Sequence, residues 1–252
     1  MRYLIIILFL LPISAFAGSL TFGAATSDNI RYPTSSAAVH DLDPATFCAW
    51  VRPTTFTTNR RFYQITTPAA TGRRLMSIHA TTGDFKDLIS TTGTVAEFQS
   101  TSTPLAPLGT WKFVCERFRT SANPRVNAFV GTATSTIAEI SYQTRVDGTG
   151  PISTSTGGFF GIANNASGTA NASFQGQIAF VSYMNAFLER YQMAMIQWCP
   201  VTAKLFNSKL HVIVGVNTSI QPDWSGNGGR GVITGATYSP ITPPILNWFC
   251  WR

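Results

Sequence analysis

Short runs of alternating apolar and polar residues fill most of this chain after residue 17, and this period of two predicts β-strands. The runs are rich in β-branched and aromatic residues and end at Gly, Pro, Asn or Asp. Two strongly apolar runs, 159–163 and 174–183, are joined by a loop of Asn, Ser, Gly and Thr. This loop places hydrogen-bonding side chains at one rim of a predicted sheet, where a polar ligand can bind.

One segment departs from the strand pattern. Residues 185–199 have the apolar spacing of a helix, and Pro200 ends the segment. No repeat of fixed period and no long linker divides the sequence. The pattern therefore predicts a single all-β domain with one short helix near its C-terminus.

The first 17 residues have the pattern of a secretory signal peptide. Arg2 precedes an apolar run at 4–11, and Ala15 and Ala17 are the small residues expected before a cleavage site. An uncleaved anchor and a buried first strand are the alternatives, although the run is shorter than the roughly 20 residues of a spanning helix. We therefore expect a secreted or extracellular protein, the surface of a virion or cell included, with no membrane span after cleavage.

Charged residues make up only 12% of the chain, about half of the usual share of roughly 25%, so the surface is polar but weakly charged. The formal net charge is +7, and part of it comes from a predicted basic patch of Arg52, Arg60, Arg61, Arg73 and Arg74. A solvated hairpin face is the preferred interpretation of this patch, and binding of anionic glycans or a phosphate-rich surface is the alternative. No nucleic-acid partner is expected, because no helix or known module presents these arginines to a groove.

Four cysteines in an exported chain indicate disulfides. Cys48 and Cys115 lie on predicted strands, and Cys199 and Cys250 flank the C-terminal region. We prefer pairing of 48 with 115 and of 199 with 250, and buried free thiols at 48 and 115 are the alternative. The spacings do not match a zinc site, which uses closely spaced Cys or His ligands.

Four sequence stretches occur in a characteristic order: Leu20-Thr21-Phe22-Gly23, Thr46-Phe47-Cys48-Ala49-Trp50-Val51-Arg52-Pro53, Trp111-Lys112-Phe113-Val114-Cys115 and Phe174-Gln175-Gly176-Gln177-Ile178. Together they resemble laminin G-like domains of the concanavalin A-like lectin/glucanase superfamily. The resemblance implies a two-sheet antiparallel jelly-roll sandwich with one short C-terminal helix at residues 18–198. Residues 199–252 are then a C-terminal extension packed on the sandwich. Such domains are usually carbohydrate- or protein-binding modules.

The resemblance also implies candidate ligand-binding residues at the rim of the sandwich. Members that bind calcium use acidic and amide oxygens there, and the nearest candidates in this chain are Asp28, Asn29, Asn164 and Asn165. A family position that often holds Asp is Gln175 in this chain, so one carboxylate is missing. Since calcium takes about 6–8 oxygen ligands, calcium stays an open expectation and no cofactor is required.

A catalytic function is not expected. The superfamily that the chain resembles also includes glucanases. These enzymes need two carboxylates in a Glu-x-Asp-x-x-Glu arrangement, and the chain contains no such run. Its close acidic pairs are Asp41 with Asp43 and Asp84 with Asp87, and Asp41, Asp43 and Asp84 lie at predicted turn positions, which favours a structural role over catalysis.

The sequence thus predicts a secreted, non-catalytic module that binds carbohydrate like a lectin or recognises another surface. Trp224, in a polar turn, is a candidate exposed aromatic for stacking on a sugar. The alternative is a structural or adhesive component of a virion, a cell surface or an extracellular filament. In that alternative the sandwich mainly contacts proteins and self-associates, so the expected partners are a glycan or a surface protein.

Overall fold

The computed structural model describes residues 18–23, 28–33, 42–56, 60–66, 73–78, 83–101, 103–152, 159–164, 173–213, 220–227 and 229–244. The predicted signal peptide at 1–17 lies outside these residues, as do Asp41, Asn165 and Cys250. Within the described ranges, no helix is long and apolar enough to cross a membrane.

The described secondary structure consists of seventeen strands, one α-helix and one 3-10 helix. The strands, in chain order, are β1 (Ser19–Phe22), β2 (Asn29–Pro33), β3 (Ala45–Pro53), β4 (Arg60–Thr66), β5 (Arg73–Ile78), β6 (Phe85–Ile89), β7 (Ala96–Ser100), β8 (Lys112–Phe118), β9 (Val126–Thr132), β10 (Ala138–Glu139), β11 (Tyr142–Val146), β12 (Phe159–Ile162), β13 (Gly176–Met184), β14 (Ser208–Ile213), β15 (Ile220–Pro222), β16 (Arg230–Thr234) and β17 (Thr237–Ser239). The helix α1 (Arg190–Trp198) is followed by the 3-10 helix (Pro200–Phe206).

These strands form two antiparallel sheets. Sheet A has the order β10-β9-β8-β3-β13-β1-β17, and β14 also pairs with β13. Sheet B has the order β11-β7-β6-β5-β4-β12-β2-β16-β15. Apolar side chains from both sheets meet in one core, so the predicted all-β, two-sheet antiparallel sandwich is confirmed.

Aromatic rings fill the space between the sheets. The ring of Tyr63 on sheet B stacks on Phe47 of sheet A with centroids 4.1 Å apart, and it stacks on Phe160 at 5.6 Å. In β6 and β7 buried and partly exposed residues alternate, as expected for strands with one face on the core. By contrast, every residue of β13 is buried, because both faces of this strand are covered.

The second cover on sheet A is the helical layer. Trp50, Phe113 and Phe180 point away from the sandwich core and pack in a separate cluster with Met193 and Ile196 of α1. This cluster excludes solvent from the outer face of sheet A. Outward-facing apolar residues on central strands of one sheet are therefore explained by the helix that follows β13.

The helix begins later than the apolar spacing predicted. The expected start was residue 185, whereas α1 starts at Arg190, with Glu189 as the N-cap in a capping box with Gln192. The residues before it are extended because tertiary contacts hold them: the Leu188 backbone N–H donates to the Thr46 hydroxyl at 3.1 Å. Pro200 ends α1 as predicted, but it also opens the 3-10 helix, which the sequence analysis did not predict.

Gln197 anchors α1 to sheet A. Its side-chain amide donates to the carbonyls of Thr132 and Ser135 at 2.8 and 2.7 Å and accepts from the Ile137 N–H at 2.7 Å. The Gln197 carbonyl also accepts a hydrogen bond from the Trp50 indole at 3.2 Å. A fully buried amide with these partners fixes the position of the helix on the sheet.

The C-terminal part of the chain contributes strands to both sheets. The expectation for residues 199–252 was an extension packed on a finished sandwich. Instead, β14 and β17 belong to sheet A, and β15 and β16 belong to sheet B. These strands pair with β13, β1 and β2, which otherwise present open backbone groups. The described C-terminal residues are therefore part of the sandwich.

One predicted disulfide is confirmed. Cys48 and Cys115 are directly opposed on β3 and β8 and form a disulfide with an S–S distance of 2.03 Å. Cys199 is disulfide-bonded as well. Its predicted partner, Cys250, lies outside the described residues, so this second pairing stays a prediction.

Candidate functional site

Three of the predicted rim residues lie at the same end of sheet B. Asp28 and Asn29 are at the start of β2, and Asn164 follows the end of the neighbouring β12. Asn29 is also paired in register with Thr234 of β16. The two adjacent strand ends thus bring together residues that are far apart in sequence. All three side chains are buried, so they support the rim and do not face solvent.

Asp28 stabilises the rim through a hydrogen bond to a neighbouring segment. Its Oδ2 atom accepts a hydrogen bond from the Gly23 N–H at 2.6 Å. Its Oδ1 atom is buried and has no hydrogen-bond partner among the described residues. A Cβ atom at Gly235 would overlap with this oxygen, and Gly235 has a φ of +71°, so only glycine fits this position.

A calcium site at this rim is not supported by the donor set. The described rim contributes one carboxylate and two amide side chains, whereas calcium takes about 6–8 oxygen ligands. Nowhere in the described ranges do three or more His, Cys, Asp or Glu side chains group to hold a metal ion. The unpaired Asp28 oxygen alone does not meet the requirement, and the function proposed below uses no metal.

Trp224 lies far from this rim. It sits in the turn between β15 and β16, at the opposite end of β16 from Thr234, roughly 13 Å along the strand. Its side chain is exposed, in agreement with the sequence-based expectation. Asp223 holds the turn by accepting hydrogen bonds from the N–H groups of Ser225 and His211, at 2.8 and 2.9 Å. The predicted site residues thus form two separate places, and their role in binding stays a prediction.

His211 lies directly beneath this turn and is fully buried. Neither ring nitrogen has a hydrogen-bond partner among the described residues. Its ring packs edge-on against Phe180, with centroids 5.4 Å apart. Burial, together with the positive charge of Lys204, lowers the pKa of His211 to about 3.

The neutral state of His211 predicts acid sensitivity. The pKa is near 6.5 in the unfolded chain and lower in the folded chain, so the unfolded state binds more protons between these values. Folding stability should fall by about 1.4 kcal/mol per pH unit below about pH 6.5 from this group alone. The variant His211→Leu should have a smaller fall than the wild type between pH 7 and 5, measured by urea denaturation. Equal slopes for both proteins would contradict the assignment.

The predicted basic patch does not form. Arg52 lies on sheet A, where it donates to the Gly109 carbonyl at 2.6 Å and to Gln177 at 2.7 Å. Arg61 lies on sheet B and donates to Gln64. Arg60 and Arg73 are described by their backbone only. Arg74, next in sequence, is only 4% exposed and points into the sandwich. Adjacent residues of a strand face opposite sides, which separates arginines that are neighbours in sequence.

Arg74 belongs to a polar cluster inside the core. Its guanidinium forms an ion pair with Glu116 at 3.3 Å and donates to the Tyr183 hydroxyl at 2.9 Å and the Leu42 carbonyl at 3.2 Å. The Tyr63 hydroxyl donates to the second oxygen of Glu116 at 2.9 Å. These contacts pair the buried charges, which a core otherwise does not tolerate.

Asp87 completes this cluster and lies on a strand, as its position in a predicted hairpin indicated. It lies in the middle of β6 and is fully buried. Burial and the negative charge of Glu116 raise the pKa of Asp87 well above its usual value, against a smaller opposing effect of Arg74. In its protonated form Asp87 can donate a hydrogen bond to Glu116. The carboxyl groups of Asp87 and Glu116 are both buried, so these two residues do not contact a substrate.

Asp43 and Asp84, which were predicted to lie at turn positions, fit that prediction. Asp43 is exposed outside the strands and accepts hydrogen bonds from the backbone and hydroxyl of Thr120. Asp84 precedes β6 and accepts a hydrogen bond from Gln99 at 2.9 Å. Asp41 lies outside the described residues.

The outer face of sheet B is the larger candidate surface. The outer face of sheet A is covered by α1 and the 3-10 helix, whereas no described helix packs on sheet B. In β2, Ile30 and Tyr32 point into the core, so Arg31 between them points outward. By the same alternation Gln64, Ser77 and Lys86 face outward on their strands. The sequence contained this information, because each of these polar residues lies between two inward-facing positions of its strand.

Residues in register cross this face in one row. The row is Val232, Arg31, Gly161, Gln64, Leu75, Leu88, Glu97 and Val146. Exposure falls from the ends of the row to its centre: Val232 and Val146 are 55% and 40% exposed, whereas Gln64 is 2% exposed. The side chains at the centre of this row are therefore buried, and Gly161 contributes none.

Arg31 and Phe159 stack on this side of sheet B. The guanidinium carbon of Arg31 lies 4.0 Å from the ring centroid of Phe159. The Arg31 Nε atom is buried without a hydrogen-bond partner among the described residues. Arg31, Arg61 and Lys86 give this face a positive charge, opposed in the row by Glu97. A guanidinium group beside an aromatic ring can bind a planar acidic group.

A second open feature is an apolar groove of about 620 Å³ beside α1. Tyr191, Met195 and Trp198 line it at helical spacing, and Leu205 of the 3-10 helix closes it. Tyr191 and Leu205 are 67% and 70% exposed. Tyr191, Met195 and Trp198 are on the face of α1 opposite to the buried Met193 and Ile196, so the helix is apolar on both sides.

No family model and no curated protein sequence matches the chain. Solved structures do match. A proposed carbohydrate-binding protein from Bacteroides ovatus ATCC 8483 matches with a TM-score of 0.60 and 14% identity, over 91% of this chain and 60% of that protein. The heptameric SAP-like pentraxin of Limulus polyphemus matches with a TM-score of 0.51 and 13% identity, over 72% of this chain and 82% of the pentraxin. Domains LG4-5 of the mouse laminin alpha1 chain match with a TM-score of 0.48 and 14% identity, over 69% and 44%.

These matches identify the fold. The chain has a concanavalin A-like sandwich fold, and the resemblance drawn from the sequence is confirmed at the level of this fold. The identities are low, so the matches carry the architecture alone. The chain also spans only 60% of the length of the Bacteroides protein.

Proposed function

We propose that the protein is a non-catalytic carbohydrate-binding module of the secreted or extracellular type, and that it binds its glycan on the outer face of sheet B. The observation that carries this proposal is the Arg31–Phe159 stack beside the row of outward-facing residues on sheet B. Amide and guanidinium groups provide directed hydrogen bonds, and aromatic and aliphatic side chains provide the apolar contact that sugar rings need. The structural similarity to a proposed carbohydrate-binding protein supports the same role.

The charge of this face favours an acidic glycan. Arg31, Arg61 and Lys86 outnumber Glu97 on the outer face, and the chain as a whole carries a formal net charge of +7. The guanidinium group of Arg31 suits a carboxylate or a sulfate, which accepts charge-assisted hydrogen bonds from it. A neutral glycan would leave this donor without a charged partner.

Binding to a glycan array that contains carboxylated, sulfated and neutral saccharides tests the proposal. We expect the acidic saccharides to bind, and Arg31→Gln to weaken their binding about tenfold or more, because a charged hydrogen bond contributes about 1.5–3 kcal/mol. Arg119→Gln is the matched control. Arg119 is exposed and stacks on Phe187 at 4.3 Å, away from sheet B, and its loss removes the same charge.

Equal weakening by both variants would contradict a site at Arg31, since net charge alone would then explain binding. Binding of neutral saccharides without an effect of Arg31→Gln would retain the carbohydrate function and reject the acidic ligand. Absence of binding at millimolar concentration, together with clear self-association, would favour the structural or adhesive alternative. Release of sugar from a β-glucan, abolished by changing one carboxylate, would contradict the non-catalytic assignment.

A further inference from the structure

The apolar groove beside α1 has the size and the lining of a small-molecule site. Its volume is about 620 Å³, and ligand pockets have volumes of roughly 300–1,000 Å³. The groove is lined by Tyr191, Met195 and Trp198 of α1 and by Leu205 of the 3-10 helix. Large exposed apolar patches on soluble proteins mark ligand or interaction sites. We propose that the groove binds a free medium-chain fatty acid, with its carboxylate at Arg190 and its alkyl chain directed towards Leu205.

The charge at one end of the groove fixes the acidic end of the ligand. Arg190 is the first residue of α1, is exposed and lines the groove. It forms no salt bridge with any residue that the structure describes. The adjacent Glu189 pairs with Arg117 at 3.1 Å, so Glu189 does not neutralise Arg190. A carboxylate is the ligand group that complements this positive charge.

The other end of the groove is suited to the methyl end of the ligand. Trp198 and Leu205 lie there, at the C-terminal end of α1 and on the 3-10 helix. The nearby Thr202 hydroxyl already donates to the Cys199 carbonyl at 2.7 Å. A second polar group on the ligand would lose its water at this end without gaining a donor, which is unfavourable. The ligand therefore has a polar group at one end only.

The length of the groove sets the length of the alkyl chain. Arg190 and Trp198 are separated by about 12 Å along the axis of α1, at about 1.5 Å per residue. Carbon–carbon bonds of about 1.5 Å advance an extended alkyl chain by about 1.25 Å per carbon atom, so about eight to ten carbons span this distance. Ala194 lies between the two residues and lines the groove, and its small side chain leaves room for the alkyl chain.

A protein partner fits this groove less well than a small molecule. Specific protein–protein interfaces bury about 1,200–2,000 Å² in total, from about 20–30 residues on each side. The apolar lining of the groove comes from α1 and the 3-10 helix, which have 9 and 7 residues. This surface is narrow for an interface with a second copy of the chain, whereas one alkyl chain covers it.

Titration with hexanoate, octanoate, decanoate and dodecanoate tests the proposal. We expect the affinity, measured by calorimetry below the micelle concentration, to rise about two- to fourfold for each added CH₂ group up to decanoate, because apolar burial drives binding. Dodecanoate should bind no more tightly than decanoate, since the groove ends at Leu205. The variant Arg190→Gln should weaken octanoate binding about two- to fivefold, as expected for an exposed ion pair, and leave binding of the neutral 1-octanol unchanged.

Methionine oxidation locates the bound ligand. Under limited hydrogen peroxide, decanoate should slow the oxidation of Met195 several-fold, because oxidation follows exposure. Met193 is fully buried on the other face of α1 and is the internal control. The variant Ala194→Leu fills the groove with a good helix former and should abolish both binding and the protection of Met195. Leu205→Ser removes an exposed wall residue and should weaken both.

Equal oxidation of Met195 with and without decanoate would overturn the proposal. Unchanged binding to Ala194→Leu and Leu205→Ser would overturn it as well. If Met195 oxidises as slowly as Met193 without ligand, other residues cover the groove and the proposal is wrong. Dimerisation that Ala194→Leu suppresses, without fatty acid binding, would assign the groove to a second copy of the chain. Rapid oxidation of Met193 in Ala194→Leu would mean that its fold is lost, and Leu205→Ser then provides the same comparison.

Discussion

Replacing Glu116 by Gln is expected to lower the free energy of unfolding by about 3–5 kcal/mol, because it leaves a buried guanidinium without its anionic partner. Arg74 is almost fully buried, and Glu116 is the carboxylate that pairs with it. The amide that replaces the carboxylate keeps the shape of the side chain but removes the charge. Urea denaturation at pH 7, fitted with a two-state equation, measures the loss.

The variant Asp87→Asn makes the same chemical change one side chain away and should have the opposite effect. The raised pKa of Asp87 means that folding favours its protonated form, whereas the unfolded chain ionises it above about pH 3.9. The stability that this group contributes is complete below that pH and is lost as the pH rises towards its raised pKa. An amide avoids this loss. Asp87→Asn should therefore be as stable as the wild type at pH 4 and more stable at pH 7.

The double variant Asp87→Asn/Glu116→Gln separates the two roles. In Glu116→Gln alone, Asp87 can ionise and take over part of the interaction with Arg74. The double variant lacks both carboxylates and should be the least stable of the three. If Asp87→Asn proved as damaging as Glu116→Gln, Asp87 would be an anionic partner of Arg74, and the proton assignment would be wrong.

Removal of the Cys48–Cys115 disulfide is expected to lower the free energy of unfolding by about 4 kcal/mol. The bond closes a long loop in the unfolded chain and so lowers the conformational entropy of that state. The two residues are separated by 67 positions, and loop length sets the entropic effect. Both side chains are buried under α1, so Cys48→Ala/Cys115→Ala also creates a small cavity. Thermal and urea unfolding of the double variant measure the total loss.

A second double variant distinguishes the cross-link from the packing. Cys48→Val/Cys115→Ala restores most of the apolar volume without restoring the bond. If the cross-link dominates, both variants should lose similar stability and the urea m-value should change, because the unfolded chain becomes more expanded. Recovery of most of the stability by the valine would instead assign the effect to packing.

Strand alternation in the sequence predicted the sandwich well, because most strands have one face on the core. It also contained information that was not used. Arg74 is in phase with Met76 and Ile78, which are core residues, and Asp87 is in phase with Phe85 and Ile89. A charged residue in phase with core positions indicates a buried ionic cluster. The predicted basic patch instead placed Arg74 on the surface with its neighbours in sequence.

Other features depend on contacts that no local pattern contains. The start of α1 is set by Thr46, which is far away in sequence and binds the extended backbone before the helix. The resemblance predicted that Asp28 and Asn164 lie at the rim. Their burial was not predicted, since it depends on the packing around them. The outer face of sheet B was missed for a similar reason, because the residues that share this face come from strands that are far apart in the sequence.

The turn that carries Trp224 has a consequence for association between molecules. Strand β14 pairs with β13 on one side, and on its other side the backbone N–H of His211 donates to Asp223 while its carbonyl accepts from the Trp224 N–H at 2.7 Å. The Asn227 amide likewise donates to the Lys209 carbonyl at 3.0 Å. An open strand edge is a template for adding a strand from another chain. Here the turn residues bind the backbone groups of β14 that another strand would use, so β14 is protected against edge-to-edge aggregation at high protein concentration.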